Sequence, residues 1–195
     1  DYTAACLAGE EVYAVNANKE LVKWNASDMD NWTGKTTVGT LTVDNYTVNE
    51  LAYDASTDTL YCIVGLGILY EVDAKTAAAT QISEPEYGVV AMDFDEEGTC
   101  YIVDAYGYLC TMDVATGAET AEIGSYGVSP LNGNQFFVQC GFYREGCFFW
   151  FAFPGNASYY ADAHVLALDV ASESYVDLGS PGEGLYMVGM MGVYC

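Results

Sequence analysis

The chain has 195 residues, 52% hydrophobic and 17% charged, which suits a buried core in one domain and excludes a disordered chain. Five Lys+Arg against 28 Asp+Glu leave a formal charge of −23, which repels phosphate backbones and anionic lipids. Nucleic acid and membrane surfaces are thereby excluded as partners, and no apolar run reaches a membrane span or has the form of a signal h-region.

From the N-terminus the chain reads as short strands in groups of four, A to D. In the first group, 1–43, residues 2–8 give strand A, Val12-Tyr13 marks strand B and Leu21-Val-Lys-Trp-Asn25 gives strand C. The second group, 44–83, holds Leu51-Ala-Tyr-Asp-Ala-Ser-Thr-Asp-Thr-Leu-Tyr61, Leu69-Tyr-Glu-Val-Asp-Ala-Lys-Thr76 and Thr80-Gln-Ile82. The third, 84–124, repeats it as Met92-Asp-Phe-Asp-Glu-Glu-Gly-Thr-Cys-Tyr101, Leu109-Cys-Thr-Met-Asp-Val-Ala-Thr116 and Thr120-Ala-Glu-Ile123. In the fourth, 125–179, Val165-Leu-Ala-Leu-Asp169 supplies strand C, and 184–195 then reads as a strand A with nothing after it. A period of about forty residues built from four strands is the mark of stacked propeller blades.

Leu60-Tyr-Cys-Ile-Val64 and Cys147-Phe-Phe-Trp-Phe-Ala-Phe153 are nearly continuous apolar runs, as expected of sheets buried on both faces. No stretch of helical periodicity competes. After strand C, the pairs Asp73/Thr76 and Asp113/Thr116 are turn devices whose carboxylate or hydroxyl bonds nearby amides; Asn25 takes that place in the first group.

The elements Asp-x-x-x-x-x-Leu-Tyr, Leu-Tyr-x-Val-Asp and x-Thr-Gly-x-x-Thr resemble the blades of the broad propeller group that includes NHL, YVTN and quinoprotein-like repeats. The resemblance runs from about residue 11 to 178 and is clearest in the second and third groups. The Trp-Asp ending of WD repeats, the sialidase Asp box and the quinoprotein tryptophan motif are absent, so none of those activities is implied. The expected fold is an all-β propeller of four-stranded antiparallel blades, about four of them with one extra strand. Such a ring either closes at four with that strand as an extra, or the chain is part of a larger propeller or of one completed by another chain. Opening on Asp1 rather than Met, the chain is expected to be a processed product or a piece cut from a longer one.

Seven cysteines, at positions 6, 62, 100, 110, 140, 147 and 195, leave at least one thiol unpaired, and there is no C-x-x-C. Cross-strand bridges are conceivable for Cys100 with Cys110 and for Cys140 with Cys147. Five of the seven, however, sit in apolar strand runs where Cys packs as a small hydrophobe, so mostly reduced, buried thiols are expected. That state fits an anaerobic or cytoplasmic protein. The acidic, Tyr-rich, Lys-poor composition fits instead an extracytoplasmic one that meets sugars, cations or basic peptides, although the charge also serves solubility.

In a propeller the B-to-C and D-to-A connections emerge on one face. The D-to-A connections carry a repeating tyrosine, Tyr46, Tyr87 and Tyr126, and the B-to-C loops add Tyr106 and Tyr108. An insertion at 154–164 in the fourth group brings Tyr159, Tyr160, Asp162 and His164, the chain's one histidine. With Glu84, Glu86 and Asp104 expected on the same face, these aromatics suit stacking on sugar rings or caging a cation. The competing reading makes the repeated Tyr a blade-packing position.

Asp93, Asp95, Glu97 and Asp104 echo the spacing of a calcium loop, though here in an A-to-B hairpin rather than between helices. Calcium is the one cofactor the sequence suggests. Nothing selects a carboxylate pair for glycoside hydrolysis, and His164 has no nucleophile motif beside it. Asn-x-Ser/Thr sequons at Asn25, Asn31, Asn45 and Asn156 fall partly in turns, where Asn is expected anyway. The expected function is a non-catalytic, secreted or cell-surface module that binds a glycan or basic peptide through its Tyr/acid loop face. An accessory domain of a larger surface protein is the alternative, serving an oligomer or a neighbouring domain; a carboxylate-dependent hydrolase or lyase is the third reading.

Overall fold

Four antiparallel four-stranded sheets, each a simple meander, make a four-bladed propeller. The computed structural model describes residues 2–31, 34–65, 67–125, 131–132, 135–136, 139–152 and 164–180. Tyr126, Tyr159, Tyr160 and Asp162, and the extra strand expected at 184–195, lie outside these. The first blade is β1 (Tyr2–Ala8), β2 (Glu11–Asn16), β3 (Glu20–Asn25) and β4 (Thr36–Thr40), with a 3₁₀ turn at Ala26–Asn31. The second is β5 (Val48–Asp54), β6 (Thr59–Val64), β7 (Ile68–Val72) and β8 (Ala79–Ser83). The third is β9 (Val89–Phe94), β10 (Cys100–Asp104), β11 (Tyr108–Asp113) and β12 (Ala118–Ser125). A two-residue ladder, β13 (Leu131–Asn132) with β14 (Gln135–Phe136), precedes the fourth blade. That blade is β15 (Cys140–Arg144), β16 (Cys147–Ala152), β17 (His164–Asp169) and β18 (Ser174–Asp177).

The continuous apolar strands are explained by which way each residue faces. In β6, Leu60, Cys62 and Val64 pack toward the first blade with Tyr13, Val15 and Leu21. Tyr61 and Ile63 of the same strand pack the other way, with Met92, Phe94 and Ile102 of the third blade. The next interface sets Tyr101, Val103 and Leu109 against Phe148, Trp150 and Leu168. Both faces of a middle blade are thus core, and burying each large side chain contributes about 1.5–3 kcal/mol.

The turns follow the chemistry of the sequence. Asp73 accepts the N–H of Lys75 at 2.7 Å and of Thr76 at 3.2 Å, Asp113 that of Ala115 at 2.9 Å, and Asp169 that of Ser172 at 2.7 Å. Each carboxylate closes a local turn that sends the chain into the outermost strand. The β15–β16 hairpin turns on Glu145 and Gly146, both at positive φ (50° and 84°), which matches the twist of the flanking strands.

Candidate functional site

The innermost strands β1, β5, β9 and β15 pack in sequence around the axis. Two ends of the propeller result. At one, the links between blades meet the turns from second to third strands; in the third blade Val89, opening β9, pairs with Asp104, closing β10. At the other lie the turns that follow the innermost strands.

The first end carries the sequence-predicted tyrosines. Asp104 is buried and accepts the N–H of Tyr106 at 2.9 Å and of Tyr108 at 2.8 Å, shaping the turn that presents Tyr106. Tyr46, Tyr87 and Tyr106 are 61%, 41% and 61% exposed. The loops bearing them are continuous. The Tyr46 ring lies against Gly65, where an added Cβ would sit 3.3 Å from its Cγ. Gly67 approaches the next link so closely that a Cβ there would lie 2.9 Å from the Val89 nitrogen. Gly88 in turn accepts the Ala105 N–H at 2.7 Å, and the rings of Tyr87 and Tyr106 meet edge to face at 5.8 Å. The Glu86 carboxylate, then desolvation and Glu119, push the Tyr87 phenol above its ordinary value.

Two expected members of this face are used otherwise. Tyr108 is half-buried against the core between the second and third blades, so it is a packing residue. His164 opens β17 and its Nδ1 lies 2.7 Å from Asp177 across the β17–β18 ladder, holding that outer edge together.

At the second end is a cavity of about 550 Å³ lined by all four innermost strands. Its walls include Cys6, Tyr53, Asp93, Phe94, Phe142 and Tyr143. Around its mouth stand Asp95, Glu96, Glu97, Arg144 and Glu145, with Arg144 and Glu145 paired at 3.7 Å. Beneath the wall lies Glu50, 1% exposed, whose Oε2 accepts the Gly141 N–H at 3.1 Å while Oε1 has no hydrogen-bond partner. Asp93 Oδ2 accepts the Tyr143 N–H at 2.8 Å. Carboxylates of the second and third blades therefore hold the backbone of the fourth. Asp93 keeps part of its surface open, yet protein encloses it so fully that desolvation pushes its carboxyl up to about 7. Burial, opposed by backbone N–H groups and reinforced by the Asp93 charge, likewise raises Glu50 well above the carboxylate range.

The calcium expectation does not assemble. Asp93, Asp95 and Glu97 line the cavity, whereas Asp104 sits at the opposite end of β10 with its carboxylate engaged by two backbone amides. Asp95 is bound to the N–H groups of Glu97 and Thr99. Among the described residues no group of three or more His, Cys, Asp or Glu is arranged to hold a metal ion.

The six described cysteines are free thiols, so neither hairpin bridge forms; Cys195 lies outside the described residues. Burial raises the thiols of Cys6, Cys62, Cys100 and Cys110, with Asp93 and Glu50 adding to the effect at Cys6. Of these, Cys62, Cys100 and Cys110, which lie away from the cavity described above, are expected to react with iodoacetamide only as the protein unfolds. Alkylation of any of them in native buffer at the rate of an open thiol would contradict their burial.

The cavity went unseen in the sequence, although a signal was there. With Asp54 matched to Asp95, Glu50 stands where the third blade has Ala91, and Asp93 where the second has Ala52. A charge replacing a small residue in an innermost strand marks the axis.

No protein-family model and no curated protein matches the chain. Among solved structures it is similar to a Bacteroides thetaiotaomicron protein of unknown function, with 18% identity and a TM-score of 0.56 over 76% of this chain and 44% of that one. Apo AztD from Citrobacter koseri is similar at 10% identity and a TM-score of 0.52, over 93% of this chain and 48% of that one. The WD40 repeats of RRP9 are similar at 13% identity and a TM-score of 0.50, over 90% and 50%. The chain thus spans about half the length of these proteins or less. Among the described residues no helix is long and apolar enough to cross a membrane. At such identities the likeness shows the fold alone: the chain is a β-propeller.

Proposed function

We propose that this propeller is a non-catalytic binding module whose tyrosine-bearing end takes a glycan. The observation that carries the reading is the continuous arc of Tyr46, Tyr87 and Tyr106, three exposed rings on loops locked together by close backbone contacts. Exposed aromatic rings on a rigid frame stack against the C–H faces of sugars, and Glu86 beside Tyr87 accepts hydroxyl hydrogen bonds. With a net charge of −23, neutral or amino sugars fit better than acidic ones. The reading goes with a secreted or cell-surface setting, where such ligands are met.

Calorimetry against a panel of neutral oligosaccharides tests this. Tyr87→Ala and Tyr106→Ala are each expected to weaken binding about tenfold, ~1.4 kcal/mol, while leaving the unfolding midpoint in place. A panel with no binder, or binding that survives both changes together, would sink the reading.

A further inference from the structure

We propose that the axial cavity is a second binding site, on the end away from the tyrosines, and that it takes an alkyl-ammonium group. The cavity volume of about 550 Å³ suits a small ligand or one side chain of a peptide. It is the place where all four innermost strands converge, so its walls are as rigid as the fold itself. Five carboxylates stand on its walls and mouth, Asp93, Asp95, Glu96, Glu97 and Glu145, against the single guanidinium of Arg144. A cleft of one sign between low-dielectric walls focuses the field and concentrates cations.

The apolar part of the lining supplies the rest of the match. Tyr53, Phe94, Phe142 and Tyr143 give an ammonium both ring faces and a surface for its methylenes. Two of these rings are held by stacking: Tyr143 on Tyr101 at 4.8 Å and Phe142 on Phe149 at 4.8 Å. An independent observation lies just behind the wall. Glu50 is 1% exposed and accepts the Gly141 N–H at 3.1 Å, so it fixes from behind the strand that carries Phe142 and Tyr143. A hard metal ion is a poor fit, since it needs several oxygens converging at about 2.3–2.6 Å, and no such group is present among the described residues.

The test titrates two probes, 1,4-diaminobutane and a tri-lysine peptide with blocked termini, at pH 8, where Asp93 carries its charge, and at about 0.15 M salt to screen diffuse attraction. Binding is read by calorimetry and by amide NMR shifts. The expected result is saturable one-to-one binding of at least one probe, with shifts at Cys6, Phe94 and Tyr143. Binding of both identifies the alkyl-ammonium alone as the ligand chemistry. The peptide alone points to a protein partner, and the diamine alone to a free amine. Asp93→Asn, which keeps an oxygen for the Tyr143 N–H, is expected to weaken binding about tenfold, and so is Glu96→Gln with Glu97→Gln. The mouth variant leaves the buried frame intact, so it stands even where Asp93→Asn perturbs folding. Tyr87→Ala is expected to leave amine binding unchanged, which separates this site from the glycan reading. No saturable binding up to about 10 mM of either probe overturns the proposal. So do shifts spread over the whole surface, or affinity unchanged in both acid variants.

Discussion

Replacing Gly141 with alanine is expected to destabilise the propeller by about 3 kcal/mol or more, the largest effect of any single methyl group here. A Cβ at this position would lie 2.5 Å from Phe148 Cε1 and 2.8 Å from both Phe148 Cζ and the Phe149 carbonyl oxygen. None of these can give way. Phe148 is fully buried among Trp150, Leu166 and Leu168, and the carbonyl belongs to the ladder. Shifting β15 instead would pull the Gly141 N–H from Glu50 and cost that buried carboxyl a hydrogen bond inside the protein. For a chain of this length the unfolding midpoint should drop by about 6 °C or more. Gly146→Ala is the comparison: nothing lies within 4 Å of its Cβ, and its φ of 84° costs about 1 kcal/mol. Equal midpoints for the two variants would show that the packing around Phe148 is looser than described.

The second large effect concerns pH. Asp93 holds its proton up to about pH 7 in the folded state, against about 3.9 in an unfolded chain. Between those values the folded protein carries a proton that the unfolded chain has released, so raising the pH destabilises the fold. Stability contributed by the protonated form is fully present below about pH 4, is lost progressively above that, and is gone once the pH has risen through about 7. The loss from Asp93 is at most about 4 kcal/mol, and Glu50, raised by burial, acts in the same direction. Repulsion among the other carboxylates adds a general slope of the same sign. The informative quantity is therefore the difference between wild type and Asp93→Asn, measured by urea unfolding from pH 5 to pH 8. The variant should show the shallower dependence. Parallel curves would mean that Asp93 titrates as an ordinary surface carboxylate.

The blades were legible because their determinants are local. Asp-x-x-Thr turns, Leu-Tyr pairs and the doubled apolar runs each act within a hairpin, and the repeat of the second group in the third carries the rest. The exposed position of Tyr46, Tyr87 and Tyr106 was legible for the same reason, since the connection each occupies recurs. Tyr108 was not, because it lies only two residues after Tyr106 yet inside β11, and strand pleat turns its ring to the core. The His164–Asp177 pair was not legible, because its two residues come from neighbouring strands. The four acids of the supposed calcium loop span a hairpin, and a hairpin sends Asp93 and Asp104 to opposite ends. The cavity depended on which residues of four separate blades meet at the axis, and no repeat within one blade encodes that.

The grip of Glu50 and Asp93 on the backbone of β15 has a consequence for folding. Each blade forms from contacts close in sequence, whereas these two bonds join residues 91 and 50 positions apart and exist only once the fourth blade has docked. Before docking, both carboxyls face water and are ionised at neutral pH. Afterwards they sit where the neutral form is favoured. Closing the propeller therefore draws protons from solution, and mildly acidic water favours the docked fourth blade over alkaline.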